Sequence, residues 1–295
     1  MKKTAELGRQ GWGEELPALS QPPLPHARTD EHVHDASLEA LTWHEAPLGR
    51  GAVLSSTDAA LAEAVCSSRS VLCVPAFCTP EEVSLLREAG VRAAELQMQN
   101  PLTSSESRLR IEVFGRSLGI TPMNLYAPPL FDTLSSDCRS NSLGSEVQEL
   151  ATILVHRAIA LVQSRNAALA DGLRIRGCTP DSPLSYSAGE PAINVYYAGG
   201  DFRPHRDAQS LTLLVPLSSP SEYEGGGTAF YEPTATPAEA VRGMAAPIAT
   251  LRPLAGTALL WGGELTHAAV AVTKGRRLVF VASATPRSWS LTPLW

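Results

Sequence analysis

Basic surplus, long apolar runs, paired cysteines and internal repeats are all missing from this chain, and each absence closes off a class of function. Asp and Glu outnumber Lys and Arg by 30 to 24, a net charge of −6. A protein that grips nucleic acid through its phosphates needs a concentrated basic surface, so nucleic acid is not an expected partner. No apolar stretch approaches the ~20 residues that span a bilayer, and Met1-Lys2-Lys3 leads into polar sequence without the apolar region of a signal peptide. A soluble, cytoplasmic chain with no membrane partner is expected. The five cysteines, Cys66, Cys73, Cys78, Cys138 and Cys178, are odd in number and irregularly spaced, with no C-x-x-C pair. They read as buried free thiols rather than as a zinc site or a disulfide framework.

What is present is enough apolar residue for one large core: 295 residues, 44% of them hydrophobic. One catalytic domain is expected over residues 51–295. Residues 1–50 are rich in Pro, His and charge without helical or strand periodicity, and read as a polar arm or linker. His32 and His34 carry a metal-like spacing there, but an exposed polar segment has no rigid surroundings to hold ligands.

Val71 to Pro75 reads as a strand. Thr79-Pro80-Glu81-Glu82 then offers a capping threonine, a proline at the first helical position and a Glu that completes a capping box, which predicts a helix to about Gln97. Arg108 to Phe114 alternates as a strand. Ile120 to Asn141 carries turn residues throughout and is expected to be irregular, with the length for a lid. From Ser145 to about Leu169, Val147, Leu150, Leu154, Ala158 and Leu161 recur at helical spacing. After Pro191 come short β-type runs: Ala192 to Tyr197, Leu211 to Leu217, Thr228 to Tyr231, Ile248 to Leu251, Thr257 to Trp261 and Arg277 to Ser283. Helices first and strands afterwards predict an α+β domain, with helices buttressing one face of an antiparallel sandwich or barrel.

The chemistry-bearing residues lie among those strands. In Arg203-Pro204-His205-Arg206-Asp207, His205 and Asp207 are two positions apart, and in extended chain such side chains project to one side, where both reach a single metal. A second histidine, His267, follows the Trp261-Gly262-Gly263 turn. Two imidazoles and one carboxylate on one face of iron leave three open positions, as oxygen-activating iron(II) chemistry requires, whereas zinc hydrolysis needs one. Arg277 stands ten positions beyond His267 at the head of an apolar strand. An arginine in a barrel interior is costly unless an anion meets it. The dicarboxylate 2-oxoglutarate suits it: the guanidinium fork takes the distal carboxylate, the 2-oxo acid end takes two iron positions, and O2 takes the third. Arg203 and Arg206 flank the ligands and are candidate contacts for an anionic substrate, although charged residues at a strand edge are more often simply solvated; Arg110 and Arg116 are read with the same caution. Tyr186, Trp261 and Trp289 read as packing residues.

Several ordered segments carry a resemblance: Tyr196-Tyr197-Ala198-Gly199-Gly200, Pro204-His205-Arg206-Asp207, Gly226-Gly227-Thr228-Ala229-Phe230, Gly256-Thr257-Ala258-Leu259-Leu260-Trp261, and His267 with Val270, Gly275 and Arg277. Over about the last third of the chain they resemble the catalytic core of the 2-oxoglutarate and iron(II)-dependent dioxygenases, nearest the prolyl 4-hydroxylase-like branch. The segment Val74 to Glu82 extends the likeness toward the N-terminal half. The resemblance implies a double-stranded β-helix (jelly-roll, cupin-like) core at about 190–285. It also implies iron(II) held by His205, Asp207 and His267, 2-oxoglutarate and O2 as co-substrates, and ascorbate as a candidate accessory reductant. Tyr196, or Tyr197 if the turn slips by one residue, is implied to hydrogen-bond the co-substrate, with Thr228 as a further pocket residue. Halogenating relatives carry a small residue where Asp207 stands, so oxidation, most simply hydroxylation of an unactivated C–H bond with release of succinate and CO2, is the implied reaction.

The chain departs from its resemblance at two points. Many prolyl hydroxylases place lysine at the position of Arg277 and an aromatic residue at that of Ser283, which speaks against a collagen-type substrate. The nucleic-acid demethylase branch carries a further arginine at the position of Ser283. A small-molecule or amino-acid-like substrate is therefore expected; a protein or peptidyl (prolyl-type) hydroxylase and a catalytically silent jelly-roll binding module stand as alternatives.

Overall fold

The computed structural model describes residues 38–49, 51–100, 104–114, 143–207 and 209–287. The irregular segment expected over Ile120 to Asn141 lies outside these, as do His32, His34, Arg116, Cys138 and Trp289. Strand β1 (His44–Pro47) is followed by helix α1 (Asp58–Cys66), whose Thr57 cap accepts from the Ala60 N–H, and by β2 (Ser70–Val74), antiparallel to β1. β1 falls within the stretch read as an arm. Its neighbours Leu41 and Leu48 are buried, so the end of that stretch is part of the folded sheet.

Helix α2 (Pro80–Met98) starts as its sequence dictates: Thr79 accepts from the Glu82 N–H, and the Glu82 carboxylate accepts from the Thr79 N–H. After β3 (Arg108–Glu112) comes α3 (Ser145–Arg165). Here the expected single helix divides. Asn166 leaves helical geometry and its side chain accepts from the Leu169 N–H at 2.9 Å, capping α4 (Ala167–Gly172).

The strands that follow are β4 (Leu184–Tyr186), β5 (Ala192–Tyr196), β6 (Phe202–His205), β7 (Leu211–Pro216), β8 (Tyr223–Gly225) and β9 (Thr228–Phe230). Short helix α5 (Pro237–Val241) precedes β10 (Ala249–Leu251), β11 (Ala258–Trp261), β12 (His267–Ala269), β13 (Val272–Gly275) and β14 (Arg277–Pro286). All pair antiparallel. One sheet has the order β1-β2-β11-β7-β14-β5-β3, with β4 also on β14; a smaller sheet has the order β10-β9-β12-β6; β8 and β13 form a separate pair. From β5 onward the chain passes back and forth between the two sheets, with β5, β7, β11 and β14 in the larger and β6, the β9–β10 pair and β12 in the smaller. That alternation winds a double-stranded β-helix, and the domain is an α+β jelly roll buttressed by its N-terminal helices.

Strand parity decides which side chains meet the helices and which face the interior. On β14, Leu278, Phe280 and Ala282 join Leu86, Leu154 and Leu161 of the helices in one apolar core. Arg277, Val279 and Val281, one residue out of step, line a cavity between the sheets. Each fully buried Leu or Phe of that core contributes roughly 1.5–3 kcal/mol. Arg157 of α3 fastens α2 to the same face, meeting Glu82 at 2.7 and 2.8 Å and the Phe77 carbonyl at 3.0 Å.

Cys66, Cys73, Cys78 and Cys178 are free. Only Cys78 is buried, and burial pushes its thiol up to about 12. Contrary to the expectation of buried thiols, Cys66 is exposed at the end of α1, and Cys73 and Cys178 are only partly buried. Among the described residues no helix is long and apolar enough to cross a membrane.

Candidate metal centre

His205 ends β6 and His267 begins β12, and the two are partners across the ladder of the smaller sheet. Their rings lie 4.2 Å apart, centroid to centroid. Asp207 follows two residues after His205. Its N–H donates to the Gly263 carbonyl at 3.0 Å. A Cβ on Gly263 would fall 2.3 Å from the Gln209 carbonyl oxygen, so the turn that holds Asp207 needs glycine there. The Asp207 carboxylate reaches His205 Nε2 at 3.4 Å through Oδ1 and His267 Nε2 at 3.5 Å through Oδ2. Two donors sharing one cation at about 2.1 Å each lie no more than about 4.2 Å apart, so both separations fit a common ion.

Donor orientation fits as well. His205 Nδ1 lies 2.9 Å from the Arg203 carbonyl and His267 Nδ1 lies 2.9 Å from the Leu265 carbonyl. A carbonyl only accepts, so each Nδ1 carries the proton and each Nε2 presents its lone pair toward Asp207. Thr212 Oγ1 donates to Asp207 Oδ2 at 2.6 Å. The Trp261 ring meets His267 edge-on at 5.0 Å. Burial by itself would raise the Asp207 carboxyl, but in the ion-free site protonation of His267 or His205, together with the Thr212 hydrogen bond, outweighs it and brings it down to about 2. Burial lowers His267 and favours its neutral, metal-binding form. Among the described residues this is the one grouping of three or more His, Cys, Asp or Glu side chains spaced to share an ion.

The three donors open into a partly open cavity that Tyr196, Thr228 and Arg277 also line. Arg277 is 2% exposed. Its Nη2 donates to Thr228 Oγ1 at 3.1 Å, and its buried Nε has no partner. No ion pair of the described residues involves it, so the guanidinium is a buried cation lacking an anion. Gly226, at φ +63°, makes room for it: a Cβ there would lie 3.3 Å from Arg277 Cδ and 2.7 Å from the Tyr223 ring.

The structure separates the two tyrosines. Tyr196 lines the cavity, whereas Tyr197, of opposite parity, packs against the helix-side core and does not. Arg203 and Arg206 are not among the residues that line this cavity. Arg203 is exposed and outside the cavity. Arg206 turns away to Thr266 Oγ1 at 3.0 Å and the Ala235 carbonyl at 3.3 Å. The charged wall is supplied instead by Arg108 and Arg110 of β3 with Glu190. Arg108 and Thr212 were not singled out from sequence. For Arg108 the signal was the alternation Arg108-Leu109-Arg110-Ile111-Glu112, whose apolar members face the helices and whose polar members therefore face inward.

No family model matches the chain, and no curated protein matches it. Solved structures do. The chain is similar to the non-haem alpha-ketoglutarate-dependent epimerase SnoN of nogalamycin biosynthesis, at 19% identity over 79% of this chain and 88% of that one, with a TM-score of 0.38. It is similar to a prolyl-4-hydroxylase of Pseudomonas putida at 14% identity, 79% and 100% coverage and a TM-score of 0.41. It is also similar to the collagen prolyl hydroxylase of Paramecium bursaria Chlorella virus-1, at 13% identity, 76% and 99% coverage and a TM-score of 0.40.

Proposed function

We propose that this chain is a non-haem iron(II), 2-oxoglutarate-dependent dioxygenase that oxidises an unactivated C–H bond of a small-molecule or amino-acid-like substrate. The observation that carries the reading is one cavity containing both an open set of three metal donors and, buried beside it, an arginine without an anion. His205, Asp207 and His267 hold the metal. Arg277 takes the distal carboxylate of 2-oxoglutarate, with Thr228 fixing the guanidinium and Tyr196 beside it, its ring 5.4 Å from Arg277 Cζ. Bound iron supplies oxygen activation coupled to decarboxylation of 2-oxoglutarate to succinate and CO2.

The protein's own part is placement. Two neutral imidazoles and one ionised carboxylate leave the open side of the site facing the cavity. Leu214, Val279 and Val281 give that cavity an apolar wall that keeps bulk water from the reacting carbon. Intact donors and an intact Arg277 favour a working enzyme over a silent binding barrel. The test is anaerobic purification with metal analysis, then oxygen uptake and succinate release with 2-oxoglutarate. One iron per chain and succinate formation dependent on 2-oxoglutarate are expected; a chain that takes up no iron and binds no 2-oxoglutarate is not this enzyme.

A further inference from the structure

We propose that Arg108 anchors an anionic group of the primary substrate, so that the molecule oxidised in this cavity is a small carboxylic acid. This deepens the oxygenase reading and rests on it. Arg108, Tyr196 and Arg277 form one rung across three adjacent strands, Arg108 pairing with Tyr196 and Tyr196 with Arg277. All three point into the cavity. Arg277 thus stands at one end of the rung and Arg108 at the other.

Charge accounting isolates Arg108. Arg110, the next inward residue of the same strand, is matched: its Nη2 meets Glu190 Oε1 at 3.1 Å, and the Gly189 and Ala188 carbonyls take its Nε and Nη2. Iron(II) bearing the Asp207 carboxylate and the oxo-acid carboxylate of the co-substrate is neutral in sum. Arg277 neutralises the second carboxylate of 2-oxoglutarate. Arg108 remains a cation that no ion pair among the described residues offsets. Its Nη2 donates to the neutral Asn194 Oδ1 at 3.1 Å, and its buried Nε has no partner. Burial disfavours its charged form, and Tyr196 and the Asp201 carboxylate, which lies beyond ion-pair distance, offset that only in part. An amide oxygen and a ring face replace only part of the hydration it has lost, and a ligand carboxylate would replace the rest.

Its surroundings fix where that carboxylate would sit. The guanidinium carbon lies over the Phe202 ring, 3.7 Å from its centroid, a cation–π contact that fixes the position of the group. The same Phe202 ring meets the His205 imidazole at 4.4 Å between centroids. One aromatic ring is therefore in contact with both the anion anchor and a metal donor. A substrate held there presents to the metal a carbon only a few bonds from its carboxylate, a reach that fits amino-acid-sized acids.

The experiment uses the full chain, loaded with Mn(II) and saturated with 2-oxoglutarate under argon. Ligand-observed NMR then follows carboxylic acids against their own primary amides, including L-proline with L-prolinamide and phenylacetate with phenylacetamide. Acids are expected to bind in preference to amides. Arg108→Gln should erase that preference by weakening the acids about tenfold to a hundredfold, the loss of a charge-assisted contact; Arg108→Lys, which keeps the charge, should retain part of it. Calorimetric titration of 2-oxoglutarate into the Mn(II) protein separates the two arginines, with Arg277→Gln losing the co-substrate and Arg108→Gln keeping it. Equal binding of acid and amide to wild type, binding of no acid at all, or a loss of 2-oxoglutarate in Arg108→Gln as deep as in Arg277→Gln would each overturn the assignment. Wild-type protein that fails to bind 2-oxoglutarate would instead bring down the oxygenase reading beneath it.

Discussion

His205 and His267 face each other directly across two antiparallel strands, so the ladder that joins β6 to β12 also sets the distance between the two imidazoles. Asp207 is not on that ladder. It is brought in by a separate bond to the Gly263 carbonyl. The donor set therefore has two supports, the strand register and the turn, and each can be disturbed independently.

Replacing either histidine by alanine removes one of three donors. His205→Ala and His267→Ala are each expected to abolish iron retention while the far-ultraviolet circular dichroism stays that of the wild type. Metal analysis after gel filtration is the measurement, and a stoichiometric iron content in either variant would contradict the assignment.

Thr212 touches the site only through its bond to Asp207 Oδ2, at 2.6 Å. Thr212→Val keeps the shape and deletes the donor, and metal affinity should fall by about 10- to 100-fold. Competition against a coloured chelator reads this directly; unchanged affinity would mean that the hydroxyl does not orient the carboxylate.

Arg277→Ala leaves the metal donors in place and removes the cation that faces the co-substrate. The Michaelis constant for 2-oxoglutarate should rise by about tenfold or more, the scale of a lost charge-assisted hydrogen bond, with iron content unchanged. Wild-type affinity for 2-oxoglutarate in this variant would show that its distal carboxylate is held elsewhere.

Glu82 offers a test of stability away from the site. Burial would raise its carboxyl, but hydrogen bonds from Arg157 and from the Thr79 N–H, with the Arg157 charge, hold it below its ordinary value of 4.5. A carboxyl lowered by folding adds stability that is fully present above that ordinary value and is lost as pH falls through the folded one. The side chains are 12% and 19% exposed. Glu82→Gln keeps the helix cap but strips the charge from Arg157, and should cost about 1–3 kcal/mol at neutral pH. The gap between wild type and variant should then narrow below pH 4.5 in urea melts; a gap independent of pH would rule out the ion pair as its source.

The sequence yielded those parts whose side-chain pattern has one physical meaning. Ala192 to Tyr196 and Arg277 to Ser283 are apolar enough that only buried strands fit them, and the Thr79 to Glu82 cap uses a local bond pattern that needs no tertiary information. Strands β6, β8, β12 and β13 were not legible. They have three or four residues each, and their glycines and polar side chains take strand geometry only because neighbouring strands supply the hydrogen bonds. The sequence ranks Tyr196 ahead of Tyr197, and the parity of β5 puts Tyr196 on the cavity side. Arg108 was hidden for a related reason: a strand alternating Arg and Leu has the same pattern whether its polar face meets solvent or lines a cavity. Adjacency to two ligands in sequence likewise says nothing about the side of the strand on which the Arg206 side chain leaves.

Each imidazole is held by the carbonyl two residues before it in its own chain, so the choice of tautomer is made locally, before any ion arrives. A site prepared in this way has little means of telling one first-row dication from another. Cobalt, nickel or copper would find the same lone pairs waiting, and by intrinsic affinity each would outcompete iron. Fidelity to iron then rests on which metals the surroundings supply, and protein produced in nickel- or cobalt-rich medium should emerge folded, loaded and inactive.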